Sequence, residues 1–389
     1  MRDGALECLR APVICVVGAR PNFMKMAPIL RAFEASVPRI PAVLVHTGQH
    51  YDATMNDQLF AGLRLPPPDV NLEVGSGSHA VQTAEVMRRF EPVLDRYAPS
   101  CVLVVGDVNS TLACSLVAVK KSIPVVHVEA GLRSFDRSMP EEINRVLTDQ
   151  VADILYTTER SAHANLEREG IAAQRIRFVG NVMIDSLLAN RPHAVEPRET
   201  LRRCELAADL DGTAGYGVVT LHRPSNVDDA DTFAALLRVL CEVGDRVPLV
   251  FAIHPRTRNA LDRTGLHEAL RDHRVFTVPP QGYLEMLGLM DRAKVVLTDS
   301  GGLQEETTAL GIPCLTLRDN TERPITVESG SNTLVGRDRA AIIAAVQEIL
   351  AGGGKRGRIP EGWDGRAAER IAADLGQFLL QRERAGMLS

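Results

Sequence analysis

The sequence predicts an α/β fold made of two Rossmann-like domains that face a cleft. Short apolar runs alternate with longer amphipathic segments, in two series separated by a polar stretch at residues 190–215. The 389 residues are too many for one compact core, and the 45% apolar content is sufficient for two. Strand–helix–strand repeats of this length imply right-handed crossovers and doubly wound parallel sheets.

The first series contains six apolar runs that are typical of parallel strands buried on both faces. These predicted strands are 13–18, 42–48, 101–107, 124–130, 154–158 and 176–181. Helices are predicted between them at 78–98 and 110–122, and Ser78 and Ser110 are the expected N-caps.

The second series predicts five more strands, with helical segments between them. They are 216–223, 248–255, 273–280, 294–302 and 313–319. We therefore expect an N-terminal domain at 1–185 and a C-terminal domain at 186–368. Residues 369–389 form an amphipathic terminal helix, and the sequence leaves its packing partner open.

Charge and composition exclude several classes of protein. The net charge of −5 gives no general attraction to nucleic acid or to an anionic membrane, so an anionic ligand needs a local basic site. The N-terminal segment is not a convincing signal peptide, and no apolar run approaches the roughly 18–20 residues of a membrane span. Seven scattered cysteines without a CxxC pair indicate reduced thiols, and we expect a cytoplasmic protein.

Polar and charged residues follow seven of the predicted strands. Ligands of open α/β sheets bind beyond the carboxyl ends of the strands, so these positions predict a site. A single such residue is more often a helix cap or a satisfied core group, but seven strand ends together favour function. The residues are Arg20, Lys25, Gln49, His50, Asp107, Glu129, Arg133, His222, Arg223, His254, Arg256 and the DSGG segment at 299–302.

The segment TDSGGLQEE, at 298–306, predicts a phosphate-binding turn. Ser300, Gly301 and Gly302 open a helix directly after a strand, where free N–H groups and the helix dipole favour an anion. Glu306 lies one turn inside this helix and could accept hydrogen bonds from ribose hydroxyls, while Arg323 could contact a diphosphate. The alternative interpretation is a tight strand-to-helix turn that needs glycine for packing.

Three acids, Asp107, Glu129 and Glu141, lie at or soon after strand ends of the first series. No spaced metal-ligand motif is present and many basic groups lie nearby, so we expect no metal site. Opposed carboxylates can remove a proton from one face of a carbon and return it to the other. A surface charge cluster that caps helices is the alternative, and it fits Glu142 better than Glu129.

Nine segments together resemble the non-hydrolysing UDP-N-acetylglucosamine 2-epimerase family. They occur in order between about residues 13 and 336: GARPNFMKMAP, TGQHYD, GDVNSTLA, HVEAGLRSFDRSMPEEINR, VGNVMIDSL, TLHRPSNVD, IHPRT, LTDSGGLQEE and LRDNTERP. The fourth and eighth segments together are highly specific. The resemblance implies a two-domain fold of the glycosyltransferase-B type, in agreement with the strand pattern.

The resemblance also implies a reaction, which is inversion at C2 of UDP-N-acetylglucosamine to give UDP-N-acetylmannosamine. In the family, a base removes the C2 proton and UDP leaves C1, which generates a 2-acetamidoglucal. UDP then adds back while a proton is delivered to the opposite face of C2. No cofactor and no metal are required.

Site residues follow from the resemblance by motif position. Asp107, Glu129 and Glu141 correspond to the family's acid/base carboxylates. His222 corresponds to the family histidine near the diphosphate and is also counted as catalytic. The implied substrate and UDP-binding residues are Arg20, Lys25, Arg145, His254, Gln281, Met286, Ser300, Gly301, Gly302, Glu306 and Arg323. Within this set, Gln281 and Met286 fall where the family holds the uracil, whereas Arg145 and His254 carry no defined role.

Three positions depart from the family pattern. Asn22 and Ile325 replace glutamates of the RPE and TERPE segments that many members have. The QHxxM-type segment, which belongs to a second, activating substrate site in some bacterial members, reads QHYDATM here and is one residue longer. Activation by substrate is therefore not predicted.

Several alternatives remain open at the level of sequence. Related members epimerise UDP-2-acetamido sugars of uronate or diacetamido type, and a hydrolysing branch releases free sugar. Arg20-Pro21 argues against that branch, and the three carboxylates have no clear purpose in a glycosyltransferase. A non-catalytic nucleotide-sugar sensor is the remaining class. The resemblance further implies a homodimer and a role in cell-envelope polysaccharide synthesis.

Overall fold

The computed structural model describes residues 8–49, 65–210 and 215–386. His50 and the rest of the QHYDATM segment therefore lie outside the described residues. The chain divides into two compact units, one made of Met1–Ala189 with Glu361–Ser389 and the other of Asn190–Pro360. The expected boundaries at 185 and 368 need correction, because residues 186–189 and 361–368 belong to the first unit.

The first unit contains a parallel sheet that has seven strands within the described residues. Its order is β3-β2-β1-β4-β5-β6-β7, and every pair is parallel. The strands are β1 Val13–Val17, β2 Ala42–His46, β3 Val70–Asn71, β4 Cys101–Val105, β5 Val125–Val128, β6 Ile154–Thr157 and β7 Ile176–Phe178. The six predicted strands are confirmed, whereas β3 was not predicted because it contains only two residues.

Helices connect these strands. They are α1 Arg20–Ala35, α2 His79–Tyr97, α3 Asn109–Lys120, α4 Pro140–Val151, α5 Ser161–Arg168 and α6 Val182–Asn190, with a short 3₁₀ turn at Ala173–Arg175. An apolar cluster from the strands and from α2 and α3, including Val86, Phe90 and Val117, forms the core on one side of the sheet.

The second unit contains a parallel sheet with six strands in its described part, in the order β10-β9-β8-β11-β12-β13. The strands are β8 Gly217–Thr220, β9 Leu249–Ala252, β10 Val275–Val278, β11 Val295–Thr298, β12 Cys314–Thr316 and β13 Asn332–Leu334. The five predicted strands are confirmed. The sequence did not predict β13, a three-residue strand that begins with asparagine.

The helices of the second unit account for the remaining amphipathic segments. They are α7 Pro197–Arg203, α8 Ala207–Leu210, α9 Pro224–Val227, α10 Ala230–Gly244, α11 Pro255–Thr264, α12 His267–Asp272, α13 Tyr283–Asp291, α14 Gly301–Leu310, α15 Pro324–Glu328 and α16 Arg339–Leu350, with a 3₁₀ turn at Arg191–His193. The stretch at 190–215 is thus partly helical, and two apolar clusters fill the unit.

The two predicted helix caps have different outcomes. Ser78 is the N-cap of α2, and its hydroxyl accepts a hydrogen bond from the backbone N–H of Val81. The prediction for Ser110 is wrong, because α3 begins at Asn109 and its N-cap is Val108. The Ser110 hydroxyl instead donates to Oε1 of Gln49 at 2.7 Å, which ties the start of α3 to the segment after β2.

The terminal helix α17, Ala367–Arg384, packs on the first unit. The Asp185 carboxylate accepts hydrogen bonds from the backbone N–H groups of Ala367 and Ala368, at 3.1 and 2.7 Å, and thereby caps its first turn. Tyr156 at β6 donates its hydroxyl to Asp374 at 2.6 Å. Across the residues that the structure describes, no helix has the length and apolarity needed to cross a membrane.

Candidate active site

The carboxylate of Asp107 follows β4 and is held by an arginine from α4. Gly106, with φ +68°, makes the turn at the strand end, and Asp107 Oδ2 lies 2.5 Å from Nη2 of Arg145. Arg145 also forms an ion pair with Glu142, one turn earlier on α4. Asn144 donates to the Asp107 carbonyl at 2.9 Å. Helix α4 therefore fixes both the backbone and the side chain of Asp107, which remains 24% exposed.

Glu129 follows β5 and is paired with a lysine from α1. Nζ of Lys25 lies 2.7 Å from both carboxylate oxygens, and both side chains are almost fully buried. The backbone of Glu129 is left-handed, with φ +73°, a conformation that costs a non-glycine residue about 1–3 kcal/mol. Backbone strain at a buried ion pair is typical of a functional position.

Gly106 brings the two carboxylate-bearing turns of the first unit together. A β-carbon added to it would lie 3.1 Å from Nζ of Lys25 and 3.8 Å from Oε1 of Glu129. The residue directly before Asp107 therefore lies against the Lys25–Glu129 pair. The prediction that strand-end groups of this sheet converge is consistent with this arrangement.

The adjacent glutamates of α4 have different surroundings. Both Glu141 and Glu142 lie in the first turn of the helix. Glu142 is 3% exposed and accepts hydrogen bonds from the backbone N–H groups of Ser134 and Phe135, at 3.0 and 2.9 Å. Glu142 is therefore not part of a surface cluster, and it stabilises the turn before α4. Among the described residues, Glu141 has no hydrogen-bond or ion-pair partner, so its half-buried carboxylate can act on a ligand.

Burial alone raises the pKa of Glu142, but the backbone N–H of Ser134 and the Arg145 guanidinium outweigh it and hold the pKa below its usual value. The carboxylate is therefore ionised at neutral pH. This charge also keeps the Arg145 guanidinium in place beside Asp107.

A buried ionic group contacts the two turns that carry Asp107 and Glu129. His127 of β5 has one ring nitrogen 2.6 Å from Asp149 Oδ1 and the other 2.9 Å from the carbonyl oxygen of Gly106. Asp149 also accepts from the N–H of Gly131 at 3.0 Å and pairs with Arg133 at 2.7 Å. Burial raises the pKa of Asp149, but the contacts with His127 and Arg133 have the larger, opposite effect. The net pKa lies below its usual value, so Asp149 stays ionised. Arg133, which the strand-end pattern suggested for ligand binding, is instead part of this buried structural group.

In the second unit, the structure contains the predicted turn from β11 into α14. Ser300 is the N-cap residue, and α14 starts at Gly301. A β-carbon on Gly301 would lie 2.6 Å from Oε1 of Glu322, so only glycine fits there without displacing that carboxylate. The strand, the glycine pair and the helix start follow one another as expected for a phosphate site, and the Glu322 carboxylate lies beside this turn.

Three arginines surround the buried carboxylate of Glu322 next to this turn. Arg318 pairs with Glu322 at 2.8 Å, and Arg223 lies 3.6 Å from its other oxygen. Arg323 pairs with Glu305 of α14 at 2.8 Å. Although burial raises the pKa of Glu322, the cations Arg318, Arg323 and Arg223 lower it far below its usual value. The cluster holds positive charge at the start of α14.

His222, which follows β8, contacts the residue that precedes the turn. Its Nδ1 lies 2.8 Å from Oδ1 of the fully buried Asp299. The ring of His254 is 6.1 Å away, measured between centroids. His254 is the N-cap residue of α11, and its Nδ1 accepts from the N–H of Arg256 at 3.2 Å. Burial of part of the ring and the nearby His222 and Arg256 lower the pKa of His254, which favours the neutral form.

The remaining predicted binding residues occupy the expected elements. Arg20 opens α1 after β1, and Glu306 is 3% exposed within α14. Gln281 donates to the carbonyl of Pro279 at 2.8 Å in the segment before α13. Met286 packs on the apolar cluster below α13. Of the site residues that the family resemblance implies, six belong to the first unit and all others to the second; the six are Arg20, Lys25, Asp107, Glu129, Glu141 and Arg145.

Sequence reasoning missed Arg318 and Glu322 of these clusters, and it included Asp299 only as part of the DSGG segment, without a role. Asp299 was visible as a polar strand end, but its contact with His222 depends on β8 and β11 being neighbours, which strand order alone decides. Arg318 and Glu322 lie in the non-helical segment after β12, where an i, i+4 spacing does not indicate a pair, so the sequence offered no signal for their contact. Within the described part of the chain, no cluster of three or more His, Cys, Asp or Glu residues could hold a metal ion.

Two parallel α/β units with these topologies define a glycosyltransferase-B-like fold, and the solved structures agree. The crystal structure of Methanocaldococcus jannaschii UDP-GlcNAc 2-epimerase in complex with UDP-GlcNAc and UDP superposes with a TM-score of 0.83 at 40% identity. The match covers 94% of this chain and 99% of that chain. The expected fold class is confirmed.

Sequence comparison identifies the family. The family described as UDP-N-acetylglucosamine 2-epimerase matches residues 34–376. The UDP-N-acetylglucosamine 2-epimerase of Methanocaldococcus jannaschii is 43% identical over 360 residues, which are 92% of this chain and 96% of that protein. The UDP-2,3-diacetamido-2,3-dideoxy-D-glucuronate 2-epimerase of Pseudomonas aeruginosa is 40% identical over 373 residues, covering 94% and 99%. The chain belongs to the UDP-N-acetylglucosamine 2-epimerase family, and it is therefore an epimerase.

Proposed function

We propose that this protein interconverts UDP-N-acetylglucosamine and UDP-N-acetylmannosamine without releasing free sugar. The observation that carries the proposal is the pair of cation-bound carboxylates, Asp107 with Arg145 and Glu129 with Lys25, on neighbouring turns of the first unit. Ionised carboxylates are bases of the strength needed for proton transfer at carbon when the leaving group departs in concert. Glu141 is the third proton-handling group.

The second unit supplies the UDP-binding part of the proposal. The turn at Ser300–Gly302 receives phosphate oxygens at the start of α14, and Arg323 adds positive charge. Glu306 contacts the ribose, and the segment around Gln281 and Met286 holds the uracil. By the family resemblance, Arg20 and Lys25 are also assigned to holding the diphosphate or ordering the cleft.

The proposed reaction begins when a carboxylate takes the C2 proton. The C2–H electrons form the C1–C2 double bond, and the C1–O bond electrons leave with the β-phosphate oxygen of UDP. The retained 2-acetamidoglucal then accepts a proton on the opposite face of C2 while UDP re-adds to C1. Charge on the departing diphosphate is the main charge that develops, so cations at that group stabilise the transition state.

The similarity to the Pseudomonas aeruginosa enzyme favours one second candidate, which is 2-epimerisation of a UDP-2,3-diacetamido uronate. Both candidates use the same chemistry at C2 and differ in the groups at C3 and C5. Turnover of the two UDP-sugars compared at equal concentration selects between them. The homodimer, the cytoplasmic location and the role in cell-envelope polysaccharide synthesis stay predictions.

One assay tests the reaction type. The protein is incubated with UDP-N-acetylglucosamine in deuterated water, and C2–H is followed by proton NMR, with Glu129→Gln as the matched inactive control. We expect deuterium at C2 and a second UDP-sugar. Free sugar with an equal amount of UDP would select a hydrolysing enzyme. An unchanged C2 signal with this substrate and with the diacetamido uronate would leave a sensor or a transferase.

A further inference from the structure

Asp299 is buried at the end of β11, and its carboxylate accepts several hydrogen bonds. It is 0% exposed and accepts hydrogen bonds from the backbone N–H groups of His222 and Arg223 and from the side-chain amide of Asn226, at distances between 2.9 and 3.1 Å. All of these partners are donors, so Asp299 acts only as an acceptor. Burial raises the pKa of Asp299, but its bonds to His222 and Arg223 outweigh this effect and lower it.

An acceptor-only carboxylate determines the tautomer of the histidine beside it. Nδ1 of His222, 2.8 Å from Asp299 Oδ1, must carry a hydrogen in order to donate to this oxygen. Nε2 is then the nitrogen that remains for a ligand, and within the described residues it has no hydrogen-bond partner. The side chain of His222 is 40% exposed, while that of Asp299 is fully buried.

The same carboxylate connects His222 to the proposed phosphate turn. Strands β8 and β11 are parallel neighbours with Thr220 opposite Thr298. His222 and Ser300 each lie two residues beyond these partners, so both are at one edge of one sheet. Asp299 directly precedes Ser300, so a single residue fixes the imidazole and begins the turn into α14.

We propose that Asp299 is the positioning residue of His222, and that this pair directs Nε2 of His222 to the departing diphosphate of the UDP-sugar rather than to C2. The assignment rests on the proposed function. As the C1–O bond breaks, its electrons pass to the β-phosphate oxygen. A His222 ring that has taken up a solvent proton at Nε2 then donates a hydrogen bond to that oxygen, while its Nδ1–H stays on Asp299. Asp299 balances the imidazolium charge. When UDP adds back to C1, this hydrogen bond weakens again.

A double-mutant cycle of Asp299 and His222 tests whether Asp299 acts through His222 or stabilises the protein independently of it. We expect Asp299→Asn and His222→Ala each to lower kcat by roughly 10²-fold, and UDP affinity in calorimetry to fall in both variants, because the hydrogen bond to the β-phosphate is made to departed UDP. Because Asp299 acts through His222, the double variant should lose little more kcat than the His222→Ala variant. Losses that multiply would overturn the proposal. Asp229→Asn, at the exposed N-cap of α10, is the control and should keep wild-type kcat.

Nitrogen-15 NMR of the imidazole rings gives a readout that does not depend on turnover. Above the titration range of histidine, wild-type His222 should be the Nδ1–H tautomer, and Asp299→Asn should shift it toward Nε2–H. A wild-type Nε2–H tautomer would refute the pair even if the enzyme is active. If wild type does not epimerise any UDP-sugar, the proposed function fails, while the tautomer still decides whether Asp299 positions His222.

Discussion

The ammonium group of Lys25 lies 2.7 Å from both carboxylate oxygens of Glu129, and the two side chains are 7% and 2% exposed. An ion pair so far from water keeps its geometry only while both partners are present, since a single buried charge costs several kcal/mol. The pair belongs to the start of α1 and the end of β5, so it connects two strand-end turns. Lys25 thereby offsets part of the cost of burying the Glu129 side chain.

Replacing Lys25 by methionine should therefore inactivate the enzyme without removing any carboxylate. The variant leaves Glu129 buried without its cation, which favours the protonated acid and removes a base. We expect kcat for epimerisation to fall by roughly 10²-fold. Lys121→Met, which removes a surface lysine paired with Asp95, is the matched control and should keep wild-type kcat. Equal kcat values in the two variants would exclude Lys25 from the reaction.

The two cation-bound carboxylates should each be required for turnover but not for nucleotide binding. We expect Asp107→Asn and Glu129→Gln to lower kcat by about 10²-fold or more, because each amide keeps the shape but cannot accept the C2 proton. UDP affinity, measured by calorimetry, should stay close to wild type since neither carboxylate is among the proposed UDP-binding residues. Full activity of either variant would remove that residue from the mechanism.

Of the adjacent glutamates of α4, we expect Glu142 to affect stability and Glu141 to affect catalysis. Hydrogen bonds and Arg145 lower the folded-state pKa of Glu142 below 4.5, so its stabilisation is present above pH 4.5 and is lost as pH falls through the folded-state value. We expect Glu142→Gln to lower the free energy of unfolding by about 1–3 kcal/mol at pH 7, with a smaller difference from wild type at acid pH.

Urea denaturation at pH 7 and at acid pH measures this difference. Glu141→Gln is the control, since Glu141 has no hydrogen-bond or ion-pair partner among the described residues. It should keep wild-type stability at both pH values and lose epimerase activity. If Glu141→Gln were destabilised as much as Glu142→Gln, the two glutamates would not have separate roles.

Most of the fold follows from the sequence because continuous apolar runs are a strong signal for strands buried in parallel sheets. The run at 101–107, for example, gives β4 at Cys101–Val105, and the prediction overshoots only where Gly106 turns the chain. The strands β3 and β13 escaped prediction because two or three residues carry no such signal. Their pairing is determined by neighbouring strands.

The candidate site was predicted less completely because its contacts depend on strand order and helix placement. The sequence marks Asp107, Glu129 and His222 as strand-end residues, but it does not show that Arg145 reaches Asp107 from α4 at 2.5 Å. It also assigned Arg133 to ligand binding, although this arginine is used inside the protein by Asp149 and Glu169. Charged residues at strand ends thus indicate a site without separating ligand contacts from supporting ones.

Asn22, where many family members have glutamate, connects the turn between β1 and α1 to the end of β4. Its side-chain oxygen accepts from the N–H groups of Gly18 and Ala19 at 3.1 and 2.9 Å. Its amide donates to the carbonyl of Val105 at 3.0 Å, directly before the turn that carries Asp107. An ionised carboxylate could replace the acceptor but not the donor.

We therefore expect Asn22→Asp to lower the free energy of unfolding by about 1–3 kcal/mol, because a buried carbonyl loses its donor and faces a negative oxygen instead. A carboxylate at the start of α1 gains about 0.3–1 kcal/mol from the helix dipole, which is too little to compensate. The displaced Val105 carbonyl should also shift Asp107 and reduce kcat. Asn71→Asp, at an exposed residue whose oxygen accepts from Glu73 N–H, keeps its hydrogen bond and is the matched control. Urea denaturation and turnover of both variants test this, and equal stability of the two would show that the Asn22 donor contributes nothing.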